Sequence, residues 1–298
     1  MSGLLQQKRK RMDVIQQFIF VGPAIIFFSL IVIIPFLMSI YYSFTEWNGV
    51  KSVVNWNGLD NFKQIIFHDD GFHSSFWFTT KYTIVTVLAA NLAGFGFALL
   101  LTMPLKTRNL LRTIFFLPNV IAGLLLGFIW SFIFVKGFAA VGNITGIGFF
   151  ELPWLGTAGT AFWGIVIVSI WQMSGYLMVI YIAGIVNMPK DLLEAATIDG
   201  AKPWQMLRSI ILPLIMPAIT VCFFLTISWS FKVFDLNLSL TKGGPFGSTE
   251  SVALNIYKEA FTNNRYGLGT AKALIFFIVV AAITTLQVIY TKRKEVEA

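Results

Sequence analysis

The chain has 298 residues, 56% of them hydrophobic and 12% charged, with 30 Phe and 9 Trp. Soluble chains carry roughly 25% charged residues, so this composition excludes an ordinary soluble domain, along with disorder and collagen-like sequence. The formal net charge is +8, but the basic residues stand at the ends of apolar runs, which points to anionic lipid headgroups rather than nucleic acid.

A membrane helix needs roughly 20 mostly apolar residues. Six charge-free runs reach that length, at 18–44, 82–105, 113–135, 161–186, 209–231 and 273–291. The first follows Lys8, Arg9, Lys10 and Arg11. It is too long for a signal-peptide core and no small-x-small cleavage site follows, so it reads as a retained span. The uncharged stretch 137–150 is short and rich in glycine and reads as loop. Cys222 is the single cysteine and lies inside an apolar run, so it forms no intrachain disulfide.

Orientation follows from lysine and arginine. With the N-terminus inside, the short inner segments hold Lys8, Arg9, Lys10, Arg11, Lys106, Arg108, Arg112, Lys190, Lys202, Arg208, Lys292, Arg293 and Lys294, thirteen of the 22 basic residues. The first outer loop carries Glu46, Asp60, Asp69, Asp70 and both histidines, His68 and His73. Both termini are therefore expected in the cytoplasm. Gly94 with Ala98, and Gly123 with Gly127, have the four-residue spacing that lets helices approach closely in lipid.

Polar and aromatic residues inside spans are either a path through the membrane or hydrogen bonds between helices. Ser169, Gln172 and Tyr176 share one face of the fourth span, flanked by Trp171 and Tyr181. The fifth span carries Thr226, Trp229 and Ser230; Asn91 and Asn119 lie in the second and third. No carboxylate falls at the centre of a span, which disfavours a proton relay or ion-coupled site. Amides, hydroxyls and aromatic faces suit a neutral, hydroxyl-rich solute such as a sugar. Lys232 and Asp235, at the outer end of the fifth span, read as a local ion pair, and Asp235 is also a candidate for the outer mouth.

The loop between the fourth and fifth runs is longer than a connector needs. Pro189 suits a helix start, with Asp191 and Glu194 near its positive end, and Gly200 suits a left-handed end. Pro203 then opens a second helix leading into the fifth span. Such an element either docks in a groove on a partner or lies on lipid.

Within this loop Glu194-Ala195-Ala196, Gly200, Ile210 and Leu212-Pro213 fill every fixed position of the EAA motif. The chain thereby resembles the permease subunits of binding-protein-dependent ABC importers. The Ser43-Phe44-Thr45-Glu46-Trp47-Asn48 run, Phe234-Asp235, Leu240-Thr241-Lys242-Gly243-Gly244-Pro245, Thr249, Tyr257, Ala260-Phe261, Gly267 and Ala271 resemble the sugar-permease branch. The resemblance implies an all-α, six-helix type I ABC importer transmembrane domain with both termini cytoplasmic. It divides the chain into a tail at 1–17, a first helix at 18–45, an extracytoplasmic loop at 46–77, a permease domain at 78–291 with its coupling loop at 187–209, and a tail at 292–298. It also implies a second homologous permease, two cytoplasmic ATPases and an extracytoplasmic solute-binding protein as partners, with ATP and Mg on the ATPases and no cofactor or metal on this chain. Glu194, Ala195, Ala196, Asp199, Gly200, Leu212 and Pro213 would couple it to the ATPase.

The chain has no G-x-x-x-x-G-K-[ST], so it does not itself split ATP, and no H-E-x-x-H. An ion-coupled carrier of a small neutral solute is the alternative; it would show intramembrane carboxylates and repeated broken helices. A lipid-embedded enzyme would need a reactive cluster that the sequence does not display.

Overall fold

The computed structural model describes residues 20–294, so Lys8, Arg9, Lys10 and Arg11 of the basic N-terminal cluster lie outside the described residues. Every regular element described is helical, apart from one antiparallel bridge between Thr45 and Trp56. The chain divides into two units, one made of residues up to 68 together with Glu259–Leu274, the other of Asp69–Lys258 with the residues from 275 onward.

In the first unit, helix α1 (Phe20–Ser43) is exposed over nearly its whole length. It contains a π-turn at Ser29–Ile33, where the Ile34 N–H reaches back to Ser29 O. Pro35 follows at once; its missing N–H and ring bulk are accommodated by that wider turn. Beyond α1 the chain folds back on itself. Glu46 N donates to Asn55 O at 3.1 Å and Asn57 N to Phe44 O at 2.8 Å. Helix α2 (Asp60–His68) is tied to α1 through the buried Asn61, whose amide donates to Ser43 O and Thr45 O at 3.0 and 2.8 Å. Trp47 stacks on Tyr42 with ring centroids 4.2 Å apart.

The second unit begins with α3 (Asp70–Thr102), capped by the Asp69 side chain, which accepts from Phe72 N at 2.8 Å. There follow α4 (Arg108–Val120), α5 (Gly123–Thr145), α6 (Gly148–Glu151), α7 (Ala158–Val186), α8 (Lys190–Ile198), α9 (Pro203–Leu214), α10 (Met216–Phe231), α11 (Asp235–Leu240) and α12 (Val252–Tyr257). The last helix, α13 (Tyr266–Lys292), begins in the first unit and ends in the second. Its core has two clusters. One gathers Tyr82, Leu126, Phe134, Trp154, Ile165 and Leu236; the other Ala90, Leu101, Leu177, Met178, Tyr181 and Ile215.

Among the described residues five helices are long and apolar enough to cross a membrane, and α9 with α10 makes a sixth span if the pair, bent by 72°, is taken as one. The bend falls at Ile215, between Pro213 and Pro217, where two consecutive turns lack backbone donors.

Three differences between the spans and the apolar runs bear on the site. The second span, α3, starts at Asp70, not near residue 82, because Lys81 ends the apolar run without ending the hydrogen-bond ladder; its ammonium lies over the Trp77 ring. The third run does not form one helix over 113–135. It breaks at Ile121–Ala122, after Pro118, and both residues there are extended or nearly so. The spanning helix is therefore α5, and the stretch 137–150 expected as loop is largely helical. Gly137 costs only about 1 kcal/mol in a helix, less than the apolar residues around it gain by continuing α5. The helix stops instead at Gly146, at φ 66°.

Gly94 faces α7, where a Cβ would stand 2.8 Å from Leu177 Cβ. Gly123 and Gly127 face α11; a Cβ at Gly127 would lie 2.8 Å from Ser239 Cβ. Both spacing-based expectations thus correspond to packing within the chain.

Candidate functional site

Helix α8 ends in a complete Schellman motif: Ala201 N donates to Ala196 O at 3.0 Å and Gly200 N to Thr197 O at 3.1 Å. Gly200 takes φ 75°, as its place after the helix requires. Lys202 N then donates to Gln205 Oε1 at 2.8 Å and Pro203 stands at the first position of α9. The sequence thus builds two helices joined by a hydrogen-bonded left-handed turn. Glu194, Ala195, Asp199 and Gly200 are exposed, whereas Ala196 is turned into the chain at 8% exposure. Leu212 and Pro213 are half-buried at the bend leading to α10. Two residues that the motif does not contain dominate the exposed surface: Ile198 at 85% and Trp204 at 65%. Only their position beside Gly200 could have marked them.

Several candidate path residues bond one another across the bundle. Tyr181 Oη donates to Asn91 Oδ1 at 2.6 Å, and Asn91 Nδ2 donates to Thr226 Oγ1 at 3.0 Å and Val87 O at 2.8 Å. This joins α3, α7 and α10 through fully hydrogen-bonded polar groups, as burial demands. Ser169 and Tyr82 share a hydroxyl hydrogen bond of 2.7 Å between α7 and α3. Ser230 is wholly buried and its hydroxyl has no partner among the described residues. Trp171 is exposed, edge-on to Trp130, and borders an apolar cavity of about 340 Å³.

A second group is brought together with its polar atoms or ring faces still partly open. Gln172 Nε2 donates to Ile121 O at 3.1 Å, so the amide sits at the break between α4 and α5. One turn along α7, Tyr176 lies between Phe116 of α4, with ring centroids 6.2 Å apart, and Trp229 of α10, at 5.4 Å. Asn119, Gln172, Tyr176 and Trp229 are all partly exposed. Asp235 belongs to the same region. A Cβ on Gly123 would stand 3.0 Å from Asp235 Cβ, so the exposed carboxylate opens α11 beside the start of α5. The expected ion pair does not form: Lys232 and Asp235 are both exposed, and among the described residues neither takes part in an ion pair. The reason is the end of α10 at Phe231, which puts the two residues on different segments.

Two features of the chain had no signature in local sequence. Gly175 is the point where α4 crosses α7, since a Cβ there would lie 1.8 Å from Phe115 O. Glu259 is buried between Lys272 and Arg265, each with a nitrogen 2.6 Å from its carboxylate. Partners thirteen residues apart follow no helical or strand period. Among the described residues no group of three His, Cys, Asp or Glu side chains is placed to hold a metal ion.

Residues 90–296 match the family described as binding-protein-dependent transport system inner membrane component. The chain is 48% identical over 280 residues to the probable starch degradation products transport system permease protein AmyD of Thermoanaerobacterium thermosulfurigenes, covering 94% of each chain. It is 34% identical to the multiple sugar-binding transport system permease protein MsmF of Streptococcus mutans, covering 88% of this chain and 90% of that one. Its fold superposes with TM-score 0.80 on a bacterial ABC transporter involved in the import of the acidic polysaccharide alginate, at 22% identity, covering 96% of this chain and 99% of that one. The family match excludes the ion-coupled carrier that the residues alone left open. On these likenesses the chain, a bundle of membrane-spanning helices, belongs to the binding-protein-dependent transport system inner membrane components as a non-catalytic permease subunit.

Proposed function

We propose that this permease carries a neutral oligosaccharide of the kind released by starch breakdown, handed to it by an extracytoplasmic binding protein. It works as a heterodimer with a second, homologous permease. Two cytoplasmic ATPases that hold ATP and Mg drive it, and this chain binds no cofactor. The observation that carries the substrate class is the open group of Gln172, Tyr176 and Trp229 where α4, α7 and α10 meet, with the partly exposed Asn119 on α4 between Phe116 and Ile121. Amide groups and aromatic rings gather there, as suits a ligand rich in hydroxyls and apolar ring faces. The relatives named above, for starch products and for multiple sugars, support the same class.

Gln172→Ala and Trp229→Ala should each lower uptake of a labelled maltooligosaccharide at least tenfold in vesicles holding the assembled importer, while ATPase subunits still co-purify. Wild-type uptake in both would assign the cluster to packing. A panel of neutral, acidic and basic saccharides in the same assay tests the substrate class.

Both termini and the α8–α9 loop belong in the cytoplasm in this reading, on the strength of the lysine and arginine placement. In a Cys222→Ser background, Asp60→Cys should react with an impermeant thiol reagent from outside and Lys106→Cys should not. The reverse labelling would overturn the orientation.

The α8–α9 loop is the coupling element, offering Glu194, Ala195, Ile198 and Trp204 to an ATPase groove, with Asp199, Gly200, Leu212 and Pro213 fixing its angle and Ala196 holding α8 to the bundle. No atom lies within 4 Å of a Cβ placed on Gly200, so its substitution acts through φ alone. A non-glycine residue there costs of order 1 kcal/mol or more, and a β-branched one is worse. Gly200→Val should leave insertion intact but remove the stimulation of ATP hydrolysis by loaded binding protein. Gly200→Asn, which tolerates a left-handed conformation, should retain most of it. Equal coupling in wild type and Gly200→Val would reject the role.

A further inference from the structure

At the end of the bundle away from the α8–α9 loop, α5 and the segment leading into α7 enclose a cavity of about 550 Å³. Phe134 and Trp154 form its floor. Their rings stack with centroids 5.1 Å apart and 17° between planes, and both side chains are buried. The Trp154 indole N–H is spent on Phe149 O at 3.0 Å. On the open side, Val135 and Leu152 are exposed at the rim. From Val135 an apolar stripe runs back along α5 through Phe132 and Phe128, both largely exposed. Residues at this spacing share a helix face, and on a spanning helix that face meets hydrocarbon.

The polar side chains lining the cavity are Asn143 and Glu151. Glu151 is held against α5 where Gly142 leaves room, since a Cβ there would stand 3.0 Å from Glu151 Cγ. The carboxylate is exposed, and among the described residues it takes part in no ion pair or hydrogen bond. From Gly123 to Val186 the only other charged residue is Lys136. It is exposed and makes no ion pair with Glu151. Lys136 precedes Asn143 by seven residues, two turns nearer the middle of α5, with a stem long enough to bring its ammonium toward the interface. The region thus offers a carboxylate and an amide oxygen inside a cavity, a cation on the same helix, and an apolar track leading away.

We infer that this cavity binds the headgroup of a phospholipid bearing a primary ammonium, such as phosphatidylethanolamine. The ammonium has three N–H donors, for which Glu151 and Asn143 Oδ1 provide three acceptor oxygens. The phosphate lies on the Lys136 side and an acyl chain follows Val135, Phe132 and Phe128. A quaternary ammonium fits less well. It has no N–H to donate to the carboxylate and amide oxygens. The inference requires only that the chain spans a membrane, and is independent of which solute it carries.

The test is native mass spectrometry of the assembled importer, purified in detergent and titrated with phosphatidylethanolamine or phosphatidylcholine of matched acyl chains. Phosphatidylethanolamine should be retained at least tenfold more tightly. Glu151→Gln should bring the two lipids within twofold of each other, while Glu151→Asp keeps the preference. Lys136→Gln should weaken both lipids alike, because the phosphate is common to them. Equal retention of the two lipids by the wild type, or a preference that survives Glu151→Gln, would overturn the inference.

Discussion

Glu259→Ala should destabilise the chain by about 3–5 kcal/mol, the range for breaking a buried ion pair by removal of one partner. The Glu259 carboxylate has its two oxygens 2.6 Å from Lys272 Nζ and 2.6 Å from Arg265 Nη2. It also accepts from Asn263 Nδ2 at 3.2 Å. Lys272 is 1% exposed and Arg265 53% exposed, so the two cations are unequal. Removing the acid takes from the buried Lys272 ammonium a carboxylate 2.6 Å away, whereas Arg265 turns to water. Arg265→Ala should therefore cost no more than about 1 kcal/mol, as exposed pairs do. Replacing both buried partners, as in Glu259→Leu with Lys272→Met, should recover most of the loss, because the desolvation of two charges is removed with their attraction. Thermal unfolding in detergent and the amount of folded protein in the membrane both report this. A Glu259→Ala chain as stable as wild type would mean that the carboxylate does not hold Lys272.

Gly175→Ala should be nearly as damaging, although it adds one methyl group. That carbon would stand 1.8 Å from Phe115 O, 2.5 Å from Phe115 C and 3.0 Å from Phe116 Cα. All three are backbone atoms, so no side-chain rotation relieves the overlap and α4 must leave α7. Overpacking costs about 1–3 kcal/mol where a core yields, and a backbone clash of this depth belongs at the upper end or above. The displacement also pulls Ile121 O from Gln172 and Phe116 from Tyr176, which dismantles the open cluster. Uptake should fall to background and the folded yield should drop. Gly96→Ala and Gly159→Ala, where a Cβ meets nothing within 4 Å, serve as controls and should behave as wild type. Wild-type uptake from Gly175→Ala would show that the two helices do not approach so closely.

Much of the architecture is written in composition and local pattern. The six apolar runs, the proline and glycine that bound α8, and the EAA spacing each depend on neighbours within a few residues, and all but the third run, which is divided between α4 and α5, appear in the structure as one helix, one turn or one bend. Gly200 is the clearest case: a helix ending at Ile198 needs a left-handed residue two places on, and the chain supplies the residue that adopts it most easily.

What only the tertiary structure decided depends on which distant residues meet. An apolar run records that a segment avoids water, not whether its backbone is continuous. The break at Ile121–Ala122 is stabilised from fifty-one residues away by Gln172, and the end of α10 at Phe231 is matched by the packing of α11 on Gly123 and Gly127. The same holds for polar residues within the spans. Asn91, Tyr181 and Thr226 have the same chemistry as Asn119, Gln172 and Tyr176, yet the first three bond one another in the interior and the second three remain partly open. Which amide is used by the bundle and which is left for a ligand is set by helix rotation and depth. Those are fixed by close contacts such as Gly175 against Phe115, and no single span carries that information.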